Sequence, residues 1–390
     1  MLPYVTELRR KLHQHPEIGF DLTETLAIVK KELDDIGVSY TDKYGKSSIV
    51  ATINEEKTNF TIAIRADMDA LPIQEENDVP YKSLNEGKMH ACGHDAHTAI
   101  AVATLKELYA MRNKINCKVK FLFQAAEEVT GGGRLMVEDG VLDDVDCVVG
   151  LHQNTSIDTG KVRLIPGPVN ANSTSINIVF KGRTCHAASQ HKGVDAIMMG
   201  VKAYTAFEFL FAKEFDTKHR VLFNVGVFSG GVTKNVVAAE CRMSCTLRTH
   251  DDEDKEKAIR RIKAIVNAVA EESGGSAEID LPSDYPILVN NPTVTERMWA
   301  ACDKVLGEEN VDKTTNYRSM GGEDFAFMAK KIPACFLKLG IRNAEKGITP
   351  TNHNCKFDID EDALELGVKI FKQFVLDNMD GIPNLNGEKE

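Results

Sequence analysis

The sequence predicts an α/β fold, in which a mixed, largely parallel sheet with flanking helices is interrupted by a smaller α+β insertion. Three observations carry this expectation. Four short runs, at residues 60–66 (FTIAIRA), 119–125 (VKFLFQA), 147–151 (CVVGL) and 335–339 (CFLKL), are almost continuously apolar, as strands buried on both faces of a sheet are. Helical periodicity separates them, as at residues 98–111 (TAIAVATLKELYAM). Between about residues 173 and 292 the pattern changes to strands and helices in the order β-α-β-β-α-β.

Taken in order, the chain opens on an amphipathic helical pattern, YVTELRRKL at residues 4–12. The first apolar strand runs into Asp67 and Asp69, the second into Glu127 and Glu128, and the third into His152. Sites in sheets of this kind lie outside the carboxyl ends of the strands, so three separate parts of the chain are expected on one rim. The insertion reads as strand 175–181, helix 194–211, strands 220–228 and 241–249, helix 254–272 and strand 276–281, the ferredoxin-like order. Helical periodicity resumes at residue 293 and leads to the fourth apolar strand and His353. Residues 1–174 and 292–390 are therefore expected to form one discontinuous domain, with 175–291 inserted. The polar stretch 384–390 reads as a frayed tail.

A chain of 390 residues is longer than one hydrophobic core usually serves, which agrees with two domains. Its 47 Lys and Arg against 58 Asp and Glu give a net charge of -11, and no basic run is present, so nucleic acid and anionic membranes are not expected partners. No stretch reaches the roughly 18 apolar residues of a membrane span. Nine irregularly placed cysteines do not read as a disulfide framework, and no charged-then-apolar leader precedes the first helix. A cytoplasmic protein is expected.

The chemistry concentrates in KMHACGHDAH (residues 88–97), read with Glu127, Glu128, His152 and His353. Thiolate, imidazole and carboxylate donors together are what a divalent transition metal requires, and the set reads as a two-metal hydrolase centre. Adjacent carboxylates following a strand point to different sides, so one can ligate while its neighbour faces an activated water.

These residues belong to a longer series. LRRKLHQHPEIGF (8–20), IRADMDALPI (64–73), MHACGHDAHT (89–98), FQAAEE (123–128), GLH (150–152), CHAASQHKGVDA (185–196), GGVTKNVVAAE (230–240), LRT (247–249), MGGEDFAF (320–327) and His353 run from end to end in one order. In this the chain resembles the M20 metallopeptidase family, in particular its amidohydrolase branch of aminoacylases, hippurate hydrolases and auxin-conjugate (IAA-amino acid) hydrolases. The resemblance implies a metal-binding catalytic domain and an inserted dimerisation and lid domain. It implies that Cys92 bridges two divalent ions, with His94 and His152 completing one coordination sphere and Glu128 and His353 the other. Zinc, manganese, cobalt or nickel suit a cysteine bridge. Glu127 would be the general base and acid. His186 would reach a neighbouring subunit's site as an oxyanion donor in a homodimer, and Asn235, Arg248 and Gly322 would bind the substrate's free carboxylate.

Some residues keep a plainer reading. His186 could cap or fill a strand-to-helix turn, and Arg248 could form an ordinary surface ion pair. Asp69 and His97 are expected to support the ligands from behind, and His13, His15, His90, His191, His219 and His250 have no assigned partner. The chain also departs from the branch's usual pattern: Cys185 precedes His186, Gln190 and Ala238 stand where prolines are usual, and Gln153, Asn154 and Thr155 follow His152. The expected reaction is hydrolysis of the amide bond of an N-acyl amino acid by metal-activated water. A dipeptidase or carboxypeptidase is the alternative, and a catalytically silent metal-binding scaffold the remote one.

Overall fold

The computed structural model describes residues 1–129, 131–314 and 318–385, so the end of the expected polar tail lies outside the described residues. The chain forms two compact units. One comprises Met1–Gly167, Val289–Tyr317 and Asp324–Glu390; the other comprises Pro168–Leu288 and Arg318–Glu323.

In chain order the first unit begins with α1 (Leu2–Gln14), α2 (Thr23–Ile36), β1 (Ser39–Thr41), β2 (Ile49–Ile53) and β3 (Thr61–Asp67). It continues through α3 (His94–Ala110), β4 (Lys118–Gln124), α4 (Gly132–Glu138), β5 (Cys147–Asp158) and β6 (Val162–Arg163). After β7 (Gly167–Asn170), the second unit supplies β8 (Ser173–Lys181), α5 (Ala196–Lys213), β9 (Val221–Gly230), β10 (Glu240–Thr249), α6 (Asp252–Glu272) and β11 (Ser276–Tyr285). β12 (Leu288–Asn290) leads to α7 (Pro292–Leu306), β13 (Val311–Asp312), α8 (Phe325–Lys331), β14 (Ala334–Arg342) and α9 (Asp362–Asn378).

The first unit is built on an eight-stranded sheet in the order β1-β2-β4-β3-β5-β14-β6-β13. Its central ladders, β4 with β3, β3 with β5 and β5 with β14, are parallel, and β1 and β2 add antiparallel pairs at one edge. All seven residues of β3 are buried, as a strand covered on both faces must be. Helix α3 is small or apolar almost all round and is buried along most of its length, packed against the sheet, α1 and α9.

The second unit is a four-stranded antiparallel sheet in the order β11-β8-β10-β9, covered on one face by α5 and α6. With β8, β9, β10 and β11 counted as strands one to four, this is the 4-1-3-2 arrangement of the ferredoxin-like motif. Burial alternates residue by residue along β8 and β10, as expected of strands with one covered face. Both helices are capped at their starts. Asp195 accepts hydrogen bonds from the Ile197 and Met198 amides, and Asp251 from the Asp254 amide ahead of three acidic residues in the first turn of α6.

Two elements differ from the sequence expectation where it matters for the site. Helix α3 begins at His94 rather than at residue 98, because Gly93 takes a left-handed φ of 93° and starts the helix there. A Cβ at Gly93 would lie 2.6 Å from Gln153 Oε1, so only glycine fits. Strand β5 continues past residue 151 to Asp158, so His152 lies within a strand instead of following one. Its polar second half does not read as strand, yet it stays paired with β14 through Asn154.

Candidate metal centre

The ligand candidates sit at the carboxyl ends of β3 and β4, within β5, at the start of α3 and on the loop after β14. Donor atoms of Cys92, His94 and His152 all lie within 4.8 Å of one another. The same holds for Cys92, Glu128 and His353, and for His94, Glu127 and Glu128. Cys92 is thus common to two groups whose other members differ. Its Sγ is 3.4 Å from His152 Nε2, and Glu128 Oε1 is 3.3 Å from His353 Nε2.

Backbone geometry aims these groups. His94 Nδ1 is 2.8 Å from the Asp69 carbonyl oxygen and His152 Nδ1 is 2.7 Å from the Gln153 carbonyl oxygen. A ring that donates from Nδ1 keeps a lone pair on Nε2, and in both residues Nε2 faces the cluster. The Asp69 carboxylate accepts the amides of Glu127 and Glu128, each at 3.0 Å, and so holds both glutamates. Ala126, just before them, is buried with φ 59°, and His353 has φ 64°. Two non-glycine residues in the left-handed region, one before the glutamates and one at a ligand candidate, show local strain held by surrounding structure. The His353 amide donates to the Ala91 carbonyl at 2.7 Å, tying its loop to that of Cys92.

The residues fit divalent ions on two grounds. Among the described residues the buried His94 Nε2 has no hydrogen-bond partner, and it lies 3.9 Å from Glu128 Oε1 and 3.7 Å from Asp67 Oδ2. A buried imidazole nitrogen left unbonded beside two carboxylate oxygens is what a bound cation would satisfy. The second ground is electrostatic. Burial pushes the Cys92 thiol up, and the charges of Glu128 and Glu127 push it further. Burial opposes ionisation of Glu128 too, but the His353 hydrogen bond and His94 charge hold its carboxyl below the ordinary range. Negative charge therefore accumulates in a buried place, and divalent charge would relieve it and favour the thiolate. Burial, reinforced by the Lys338 charge, keeps His152 well below its usual pKa, the neutral form a ligand needs.

Asp67 and His97 support the cluster from behind. His97 Nδ1 lies 2.6 Å from Asp67 Oδ1, and its Nε2 accepts the Gln153 amide at 3.0 Å, so both ring nitrogens are engaged. Buried Arg65 joins Asp67 to Asp324 at 2.6 Å on each side and reaches Gln124. His13, left without a partner by sequence reasoning, lies 2.7 Å from Asp95 and 3.3 Å from Glu75. Arg9, one helical turn earlier, reaches Asp95 at 2.8 Å, Asp358 at 3.0 Å and Glu361 at 3.4 Å. Arg9 thereby links the segment just after His94 to the segment that follows His353. The spacing of Arg9 and His13 on one helix face was the signal available in the sequence. Cys355, which stood near His353 in sequence, is half-buried and belongs to none of the donor groups.

The remaining candidates lie in the second unit. Exposed His186 starts a short 3-10 helix, and its Nδ1 accepts the Ala188 amide at 3.1 Å, leaving Nε2 to project. The Asn235 carbonyl accepts the neighbouring Ala187 amide at 3.0 Å, so His186 and Asn235 share one corner of this unit. Half-buried Arg248 donates to the Met320 carbonyl at 2.8 Å, two residues from Gly322, and among the described residues it forms no ion pair with an acid.

Comparison with known proteins agrees with this architecture. The family model for peptidase family M20/M25/M40 matches residues 63–377, more than half of the chain. Thermostable carboxypeptidase 2 of Saccharolobus solfataricus is 32% identical over 368 residues, covering 93% of this chain and 92% of that one. N-acetyl-L-cysteine deacetylase of Bacillus subtilis is 33% identical over 357 residues, covering 92% and 84%. The crystal structure of the Bacillus subtilis YXEP protein, a dinuclear metal-binding peptidase of the M20 family, matches with a TM-score of 0.82 at 28% identity, over 96% of this chain and 97% of that one. The match spans both units and every donor group, and the chain belongs to peptidase family M20/M25/M40 and is a hydrolase.

Proposed function

We propose that the protein hydrolyses the amide bond of N-acyl amino acids, releasing a carboxylic acid and a free amino acid. The observation that carries this is the pair of donor groups sharing Cys92, with Glu127 in reach of His94 and held by Asp69. Cys92, His94 and His152 would hold one divalent transition ion, and Cys92, Glu128 and His353 the other. When bound, zinc, manganese, cobalt or nickel would supply positive charge that acidifies a water and polarises the acyl oxygen. Glu127 takes a proton from the attacking water on its carboxylate and returns it to the leaving nitrogen. Asp69 holds the Glu127 backbone through its amide. Asn235, Arg248 and Gly322 would receive the amino acid's carboxylate, for which the guanidinium of Arg248 is suited.

The second unit is proposed to be an inserted lid that also forms a homodimer. Edge strand β9 exposes Leu222, Val227 and Phe228, and α5 exposes Ile197, Met198, Val201 and Tyr204. An unpaired edge carrying apolar side chains favours pairing with a second copy. His186 would then act as an oxyanion donor in the neighbouring subunit's site. Among the described residues no helix is long and apolar enough to cross a membrane, and nine unpaired cysteines suit the reducing cytoplasm proposed here.

Elemental analysis beside amine release from a panel of N-acyl amino acids, before and after chelation and metal add-back, tests the proposal. Close to two ions per chain with chelator-sensitive release is expected. Glu127→Gln should retain the ions while kcat falls by about 10²–10⁴-fold; undiminished turnover in that variant would sink the mechanism. The similarity to a carboxypeptidase favours peptide cleavage as the second reading. Turnover of aminoacyl but not acetyl or benzoyl derivatives would select it.

A further inference from the structure

A carboxamide stands beside the sulfur of Cys92. Asn352, on the loop after β14, directs its Nδ2 to the Cys92 carbonyl oxygen at 3.3 Å and to Cys92 Sγ at 3.8 Å. A primary amide has two N–H groups, so one can serve each acceptor. Its oxygen lies on the other side, where the Thr155 hydroxyl donates to Oδ1 at 3.4 Å. The opposite orientation is unfavourable: Oδ1 in the place of Nδ2 would face a carbonyl oxygen and a sulfur that, as a thiolate, only accepts. Thr155 belongs to the run after His152 that departs from the usual pattern of the family branch, and here that run meets the ligand loop. The residue next to Asn352 makes a matching contact, the His353 amide donating to the Ala91 carbonyl at 2.7 Å. Two successive residues of one loop thus hold two successive residues of the other, and the backbone contact already joins the loops. The Asn352 amide goes further and reaches the sulfur. Cys92 is buried while Asn352 and Thr155 are half-buried, and a hydrogen bond shielded from water in this way is stronger than one in solvent.

We propose that Asn352 is a positioning residue for the reaction, a hydrogen-bond donor to the Cys92 thiolate, and that Thr155 orients it. The proposal rests on the metal-centre reading above, in which Cys92 is the shared ligand, and deepens it. A thiolate that bridges two ions keeps a lone pair the bridge does not use. An N–H placed there lowers the energy of the sulfur's donor electrons and fixes the direction in which the others point. Hydrogen bonding at a ligating cysteine sulfur is one of the ways a protein tunes a bound metal. Weaker donation from sulfur favours acidification of water and polarisation of the acyl oxygen at the same centre. Asn352 acts through Cys92 and not on the substrate.

The test loads the full chain with cobalt(II), whose bond to a thiolate gives a charge-transfer band in the near ultraviolet that reports the energy of the sulfur electrons. The wild-type protein should show this band, and Cys92→Ser should abolish it. Asn352→Leu keeps the shape of the side chain and removes its donor. In that variant the band should move to longer wavelength, and cobalt affinity should fall by about 10–100-fold, as for other partners that hold a ligand in place. Thr155→Val, which frees the carboxamide to turn, should move the band in the same direction by less. An amide that only braces the loop through the Cys92 carbonyl would lower the affinity in Asn352→Leu and leave the band where it was, and that result overturns the proposal. If Asn352→Leu fails to fold or to take up cobalt, Thr155→Val decides, and an unmoved band there overturns the proposal as well. Cobalt bound to the wild-type protein without the band, or a band that survives in Cys92→Ser, overturns the metal-centre reading itself, and the proposal falls with it.

Discussion

The two units present their candidate residues in opposite ways. In the first, Arg9, His13, Arg65, Asp67, Asp69, His94 and His97 are 0–2% exposed, and each is held by hydrogen bonds or ion pairs. In the second, His186 and Asn235 are exposed, and their side chains bond residues two positions away. A buried charge must be paired by its own fold, so the donor cluster and its supports lie together within one unit. An exposed residue carries no such requirement and can serve a partner or a substrate that arrives later. Changes in the first unit should therefore act on stability and site geometry together, whereas changes at exposed positions of the second should act on activity alone.

The sharpest test of that contrast is Arg9→Met. It leaves Asp95, Asp358 and Glu361 without their shared cation, and removing one partner of a buried pair costs about 3–5 kcal/mol. Denaturant unfolding should show this loss, with weaker metal retention at the His353 side; stability within about 1 kcal/mol of wild type would break the comparison. His186→Ala should do the reverse. As a lost oxyanion donor it should lower kcat by about 10²–10³-fold, while its unfolding midpoint stays within about 0.5 kcal/mol, as for surface substitutions generally. An active enzyme with unaltered kcat would remove His186 from the mechanism.

A smaller effect concerns pH. Burial and the Arg9 charge push His13 down, but the hydrogen bond and charge of Asp95 and the hydrogen bond of Glu75 outweigh them, so its pKa is raised in the folded chain. A group raised on folding adds stability that is fully present below the unfolded value of about 6.5 and is lost as pH climbs through the folded value. The stability difference between wild type and His13→Asn should accordingly shrink from pH 6 to pH 9, and urea midpoints across that range would show it. A difference that grows with pH would contradict the assignment. The smallest effect should come from Ala126→Gly. Relief of the left-handed backbone, worth about 1–2 kcal/mol, offsets the greater unfolded-chain freedom of glycine and the loss of a buried methyl. Thermal unfolding should place it within about 1 kcal/mol of wild type, although Ala126 is fully buried.

Much of this was legible in the sequence because motifs carry their own geometry. The Cys92 to His94 run, the tandem Glu127 and Glu128, and the β-α-β-β-α-β order each state a local arrangement, and the structure has the corresponding strands, donor groups and 4-1-3-2 sheet. Legibility failed where the decisive partner is distant in sequence. Asp95 pairs with His13 across 82 positions, and Arg65 with Asp324 across 259. Neither pairing leaves a mark in composition or periodicity, and the polar second half of β5 conceals that His152 lies within a strand.

By itself, then, the sequence determined the fold class, the family and the types of donor atom, because hydrophobic periodicity and residue chemistry are local properties of the chain. Only the tertiary structure decided which nitrogen of each histidine faces the cluster, which carboxylate carries the amides of both glutamates, and which cation stands beside His152. Those choices depend on hydrogen bonds and strand register between segments far apart in sequence, and such contacts exist only once the sheet has assembled.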